Sequence, residues 1–241
     1  MKGENRVAVV TGAGGQIGSC ICRMFKEAGV RVAATDMTPE IAANAPCDRA
    51  YALNVLDSAS VKGAFDAILK DFGKVDILVN CAGVWIHPGK PGKIKFADLE
   101  EEDWVNIVRI NLEGTMRVTH GIIRHMVANG YGRIVNLGSI SGICGLPGCC
   151  DYSASKGGVG MFTKTLAMET AKQGITVNSV APGWVERVRR EIPNTWIGRT
   201  GDPDEMARAV LFFADDDSGF ITGTELPVDG GRVLGPHHDV I

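Results

Sequence analysis

Thr11-Gly12-Ala13-Gly14-Gly15-Gln16-Ile17-Gly18 stands between an apolar run and an amphipathic helical pattern. Glycines at such a strand-to-helix turn let backbone N–H groups and the positive end of the helix dipole meet a pyrophosphate. Asp36 closes the next apolar run, where a carboxylate can accept hydrogen bonds from an adenosine ribose and repel a 2′-phosphate. No arginine follows it in Met37-Thr38-Pro39, which favours NAD over NADP. The alternatives are a bare turn and an Asp that only caps a helix. Farther along, Tyr152 and Lys156 lie one helical turn apart on a common face. A phenol titrates near ~10 and exchanges protons near neutrality only with help. A neighbouring ammonium and the positive charge of an oxidised nicotinamide both favour the phenolate. Out of context, the two would be ordinary surface neighbours and Ser139 an ordinary strand-end hydroxyl.

The elements that must position these groups are legible as alternating patterns. Apolar runs at 6–11, 31–35, 50–53, 76–80, 133–137, 176–181 and 225–228 read as strands, several without alternation, as expected when both faces are covered. Helical patterns fall near 16–28, 58–71, 98–129, 151–173 and 203–214. Asp57 or Ser58 can cap the second, and Asp98 with Glu101 fits a capping box for the third. The alternation implies an α/β, doubly wound Rossmann fold: a seven-stranded parallel sheet with helices on both faces. No Pro/Ser-rich linker divides the chain, so residues 1–241 are expected to form a single catalytic domain.

With 25 basic and 28 acidic residues mixed along the chain, the formal net charge is −3. No basic stripe invites nucleic acid or a membrane surface. No run reaches the roughly 18 apolar residues of a spanning helix. The amino terminus lacks a signal peptide's charged and apolar regions. The seven cysteines have no zinc-like spacing, and adjacent Cys149 and Cys150 cannot readily bridge each other. A cytoplasmic protein with reduced thiols and no metal site is the expectation. His237-His238-Asp239 reads as a tail rather than a metal cluster.

Taken together, the motifs resemble the short-chain dehydrogenase/reductase family over essentially the whole chain. The markers are the turn from Thr11, Asn80-Cys81-Ala82-Gly83 (the family's Asn-Asn-Ala-Gly), Asn111 in Ile110-Asn111-Leu112-Glu113-Gly114, and Ser139 in Gly138-Ser139-Ile140-Ser141-Gly142. Tyr152-Ser153-Ala154-Ser155-Lys156, Asn178-Ser179-Val180-Ala181-Pro182-Gly183 and Val228-Asp229-Gly230-Gly231 complete the set. Each is weak alone; in this order and spacing they are strong together. The resemblance implies that Tyr152 is the general acid/base, that Ser139 hydrogen-bonds the substrate oxygen, and that Lys156 also binds the nicotinamide ribose. Asn111 would hold a helix distortion and a water relaying protons from Lys156. It also implies a cofactor site of Gly12, Gly14, Gly15, Gln16, Ile17, Gly18, Asp36 and Met37, with Asn54 and Val55 at the adenine. Asn80, Ala82 and Gly83 would line its central stretch, and Pro182, Gly183 and Val185 would meet the nicotinamide.

Three departures from the family pattern stand out. The glycine spacing places Gln16 where the common branch has glycine. After Pro182-Gly183, the usual Thr and most of a helical lid are missing. Either a segment is absent from the sequence between Glu186 and Arg187, or the lid is naturally short. The loop 84–95 is longer than is typical. Trp85, His87, Ser141, Ile143, Cys149, Trp184 and Trp196 are candidates to line an apolar or mid-sized substrate pocket.

The leading expectation is NAD(H)-dependent interconversion of a secondary alcohol and its ketone. The motifs are most similar to those of 3-oxoacyl-acyl-carrier-protein reductases, so reduction of a 3-oxoacyl thioester with NADPH is the alternative, although Asp36 argues against that cofactor. A dinucleotide-binding sensor without turnover is the alternative from another class. The resemblance also implies a homotetramer, built partly on helices 98–129 and 151–173; Val159, Met161, Phe162 and Leu166 extend the apolar surface of the latter beyond one stripe.

Overall fold

All seven apolar runs form strands, and all of them join one parallel sheet. In the computed structural model, which describes residues 5–90 and 92–235, they are β1 (Val7–Thr11), β2 (Arg31–Asp36), β3 (Arg49–Ala52), β4 (Ile77–Asn80), β5 (Gly132–Leu137), β6 (Ile175–Pro182) and β7 (Glu225–Val228). Their order is β3-β2-β1-β4-β5-β6-β7, every pairing parallel. The strand order reverses between β1 and β4, so a crevice opens at the carboxyl ends of those strands, where doubly wound folds bind ligands.

Alternate residues of β1 face opposite layers, because strand side chains repeat every two residues. Ala8 and Val10 belong to the core formed with α1 (Gln16–Glu27), through Ile21 and Phe25, and with α8 (Pro203–Ala214), through Val210 and Phe213. Val7 and Val9 face α3 (Ser58–Phe72), through Phe65 and Ile68, and α5 (Gly114–Asn129), through Val118 and Ile122. Each fully buried side chain of this size adds roughly 1.5–3 kcal/mol of transfer free energy. Between these helices lie α2 (Pro39–Ala42), α4 (Glu101–Val108), α6 (Ile140–Cys144) and α7 (Cys150–Thr170).

Two expectations are corrected, and a choice left open is decided. The continuous helix over 98–129 is interrupted: a 3-10 turn (Phe96–Asp98) precedes α4, and a π-helical turn (Arg109–Glu113) separates α4 from α5. The capping box is Glu100 with Asp103, not Asp98 with Glu101, because the 3-10 turn occupies Asp98. Asp57, rather than Ser58, caps α3 by accepting from Ala59 N–H at 2.8 Å. The short α2 and α6 had no periodic signal and went unanticipated.

The region after β6 contains no helix before α8. Val185 bridges to Gly201, and Glu191 to Arg199. Arg190 pairs with Glu186, and Arg199 with Glu205. His237-His238-Asp239 lies outside the described residues.

Candidate active site

The glycine turn is built from close approaches. Gly12 has φ +62°, and a Cβ there would stand 2.8 Å from Ala82 Cα. A Cβ on Gly18 would fall 2.2 Å from the Gly12 carbonyl oxygen, so helix and turn can close only on glycine. The Thr11 hydroxyl accepts from the Cys81 and Ala82 N–H groups at 3.0 and 3.1 Å. Thr11 thus ties the turn to the segment after β4, a role sequence reasoning missed although Thr11 opens the motif.

Asp36 faces this turn. Its carboxylate accepts from Gly14 N–H at 3.0 Å and Met37 N–H at 2.8 Å. Gln16 is exposed and begins α1, so the glycine shift leaves the helix start intact. Beside it, Ile17 packs partly into the core. The first turn of α1 has neither a side-chain cap nor an acidic residue. Its N–H donors are therefore unmatched by protein carboxylates, and the helix dipole favours an anion there. A carboxylate facing the turn, an uncapped helix start and a turn that only glycine fits together suit a nicotinamide dinucleotide.

Not every residue assigned to that cofactor turns toward it. The Asn80 amide donates to Thr119 Oγ1 at 2.9 Å and Asn136 Oδ1 at 2.8 Å, inside the fold. Asn54 Oδ1 accepts from Leu56 N–H at 2.9 Å, closing its own turn. Val55 is buried against Gly114 of α5, and its carbonyl accepts from Arg117. Pro182 ends β6. Gly183 abuts Asp229, where a Cβ would come within 2.8 Å, and Val185 sits in the bridge to Gly201.

Beyond the turn, four groups converge. Ser139 follows β5 as N-cap of α6 and accepts from Ser141 Oγ at 2.8 Å and Ser141 N–H at 3.2 Å. Tyr152 and Lys156 sit on α7, with Lys156 Nζ 5.8 Å from the Tyr152 ring centroid. Lys156 is buried and donates to the Leu137 carbonyl at 2.7 Å. Asn111 lies in the π-helical turn, fully buried, and donates to Ser155 Oγ at 3.2 Å. Gly83 completes the cluster: a Cβ there would stand 3.0 Å from Asn111 Oδ1 and 3.4 Å from Lys156 Nζ.

The electrostatics differ from expectation at one point. Burial pushes the Tyr152 phenol above its ordinary value, and the Ser139 hydrogen bond pulls the other way. The nearby ammonium therefore does not by itself produce a phenolate, because desolvation of the charged form dominates. Burial brings Lys156 down to about 8. Burial also pushes the Cys81 thiol up to about 12, so it stays protonated and unreactive at neutrality.

The candidate pocket residues divide. Trp85, Trp184 and Trp196 are 46%, 45% and 48% exposed, and Ile143 is 44% exposed; all follow carboxyl ends of central strands and present apolar surface there. Ser141 is buried and engaged with Ser139. Cys149 is buried with its sulfur toward the Gly92 carbonyl, and His87 is buried against Asp151. These three brace the site instead of presenting surface to it.

Residues 12–232 match the family model described as enoyl-(acyl carrier protein) reductase. The chain belongs to the short-chain dehydrogenase/reductase family. It is 34% identical to a 3-oxoacyl-acyl-carrier-protein reductase of Thermotoga maritima, across 97% of this chain and 100% of that one. It is 39% identical to an acetoacetyl-CoA reductase of Rhizobium meliloti, across 95% and 98%. Among solved structures, an NAD+-bound xylitol dehydrogenase superposes with a TM-score of 0.87 at 30% identity, covering 96% of this chain and all of that one. As a short-chain dehydrogenase/reductase the protein is an oxidoreductase, and the family uses nicotinamide cofactors. Among the described residues, no helix is long and apolar enough to cross a membrane.

Proposed function

We propose that the protein reduces a 3-oxoacyl thioester to the 3-hydroxyacyl thioester, with NADH as the hydride source. The observation that carries this reading is the half-buried Tyr152 phenol beside Ser139. Held above its ordinary pKa, it is a proton donor at neutral pH, suited to an alkoxide forming from a ketone. The relatives named for 3-oxoacyl-acyl-carrier-protein and acetoacetyl-CoA reduction favour a thioester over the simple alcohol/ketone pair suggested by the motifs alone.

In this reading the Ser139 hydroxyl holds the ketone oxygen, and Tyr152 passes it a proton. Lys156 keeps a positive charge behind the phenol through its bond to Leu137 O. Asn111 fixes the distorted turn beside Lys156 and orders a proton path from it. Gly12, Gly14, Gly15, Ile17 and Gly18 shape the pyrophosphate end, and Asp36 binds the adenosine ribose. Reduced nicotinamide, when bound, would supply the hydride. Trp85, Ile143, Trp184 and Trp196 provide apolar surface for the acyl portion.

The test is a comparison of NADH and NADPH on acetoacetyl-CoA, a simple ketone and a keto-sugar. Faster turnover of acetoacetyl-CoA with NADH is expected. A marked preference for the keto-sugar would favour a polyol dehydrogenase, the second reading, which Asp36 and the likeness to xylitol dehydrogenase support. No turnover of any substrate would favour a dinucleotide-binding sensor.

The whole chain acts as a single catalytic domain in this proposal, and as a homotetramer. Phe162 and Leu166 of α7 line a groove with Met116, Ile123 and Val127 of α5, an apolar face suited to a second copy. A monomer by light scattering at micromolar concentration would refute the assembly.

A further inference from the structure

The loop after β4 is fastened to its surroundings at four places, and two of these bracket an exposed apolar pair. At its start, Val84 is held by Asn111 through two hydrogen bonds of 2.8 Å. At its end, Ile94 N–H donates to the Gly148 carbonyl at 2.9 Å. Lys90 pairs with Asp103 of α4. Between these, His87 is only 6% exposed, and its Nε2 stands 3.2 Å from Oδ2 of Asp151, itself 5% exposed. Asp151 immediately precedes Tyr152 in the first turn of α7. Its Oδ2 has no hydrogen-bond partner among the described residues beyond this contact.

An acidic residue in the first turn of a helix complements the dipole from an exposed position, so dipole complementarity does not account for burial. A buried carboxylate is strongly disfavoured unless a partner faces it. Here the partner comes from a loop and not from the helix or the sheet. The charged and titratable groups about the imidazole are Asp151 from α7, Asp103 from α4 and Lys90 from its own loop. Trp85 and Ile86, 46% and 44% exposed, lie between the Val84 and His87 anchors.

We propose that the His87–Asp151 pair is a positioning device: it locks the loop bearing Trp85 and Ile86 to the helical turn bearing Tyr152, fixing the pocket wall relative to the phenol. His87 and Asp151 act through their neighbours and touch neither substrate nor cofactor. The kinetic arm of the test rests on the thioester-reductase reading; the exchange arm does not.

His87→Asn, Asp151→Asn and the double variant are compared with the wild type by hydrogen exchange of the cofactor-free protein and by steady-state kinetics. Exchange over residues 84–90 is expected to accelerate in both single variants. With acetoacetyl-CoA and NADH, kcat should fall roughly ten- to hundredfold with KM for NADH unchanged. The double variant should be no slower than the worse single one, since removing either partner breaks the same contact. Unchanged exchange, an unchanged kcat, multiplicative losses or an effect confined to KM would each overturn the proposal. Should Asp151→Asn fail to fold, His87→Asn alone decides, because the Lys90–Asp103 pair still anchors that loop. Absence of turnover in the wild type counts against the reductase reading, and the exchange result then decides the pair.

Discussion

Asn111 clasps Val84 with both ends of its amide: Nδ2 donates to the Val84 carbonyl and Oδ1 accepts from the Val84 N–H, each at 2.8 Å. A side chain in a π-helical turn thus makes the kind of paired contact a neighbouring strand would make, and it does so beside Lys156 and Gly83. Asn111→Asp keeps the shape but removes the donors to Val84 O and Ser155 Oγ. Stability should fall by about 1–3 kcal/mol, since buried acceptors lose their partner and a carboxylate is buried. Urea denaturation with an unchanged midpoint would contradict this.

In the proposed reaction Asp36 sets the preference for NADH. With its carboxylate facing the Gly14 N–H, a 2′-phosphate would meet like charge. Asp36→Ser should weaken NADH and strengthen NADPH, moving the ratio of their Kd values by at least about tenfold, or about 1.4 kcal/mol. Titration by nicotinamide fluorescence measures it; an unchanged ratio would remove Asp36 from the cofactor site.

Lys156 gives the activity a pH signature. Burial brings its ammonium down to about 8. The rate of ketone reduction should therefore decline as pH rises through about 8, when the charge behind Tyr152 is lost. Lys156→Met should give a slow, flat profile. The same group acts oppositely on stability. Its folded pKa lies below its ordinary value of 10.5, so the unfolded chain holds a proton that the folded chain has released. From about pH 8 up to that ordinary value, the contribution of Lys156 to stability should rise with pH. A wild-type rate profile without a break near 8 would contradict the assignment.

Much of this was legible in the sequence because the signals are local. The β1 run and the glycines after it encode a strand, a turn and a helix start within a few residues, and Asp36 follows at the end of β2. Tyr152 and Lys156 are one helical turn apart, so their common face follows from helix geometry. The interruption at 109–113 was not legible from periodicity, because one widened turn barely disturbs a 3.6-residue pattern. Two overlapping pairs of acids, Asp98 with Glu101 and Glu100 with Asp103, fit the same capping box, and a 3-10 turn chose between them. Ser141 and Cys149 fit a pocket lining by their place in the sequence, yet the turn of α6 and the docked loop bury them. His87 and Asp151 are far apart in sequence, and no local pattern announces their contact.

In the proposed reaction Tyr152 delivers the proton to a ketone oxygen held by Ser139. This transfer is tested most directly by single-turnover reduction of acetoacetyl-CoA by wild type and Tyr152→Phe, each saturated with NADH and followed by loss of reduced-nicotinamide absorbance. Tyr152→Phe is expected to bind NADH with unchanged Kd and to reduce the thioester at least about a hundredfold more slowly. Turnover at the wild-type rate in the phenylalanine variant would contradict it.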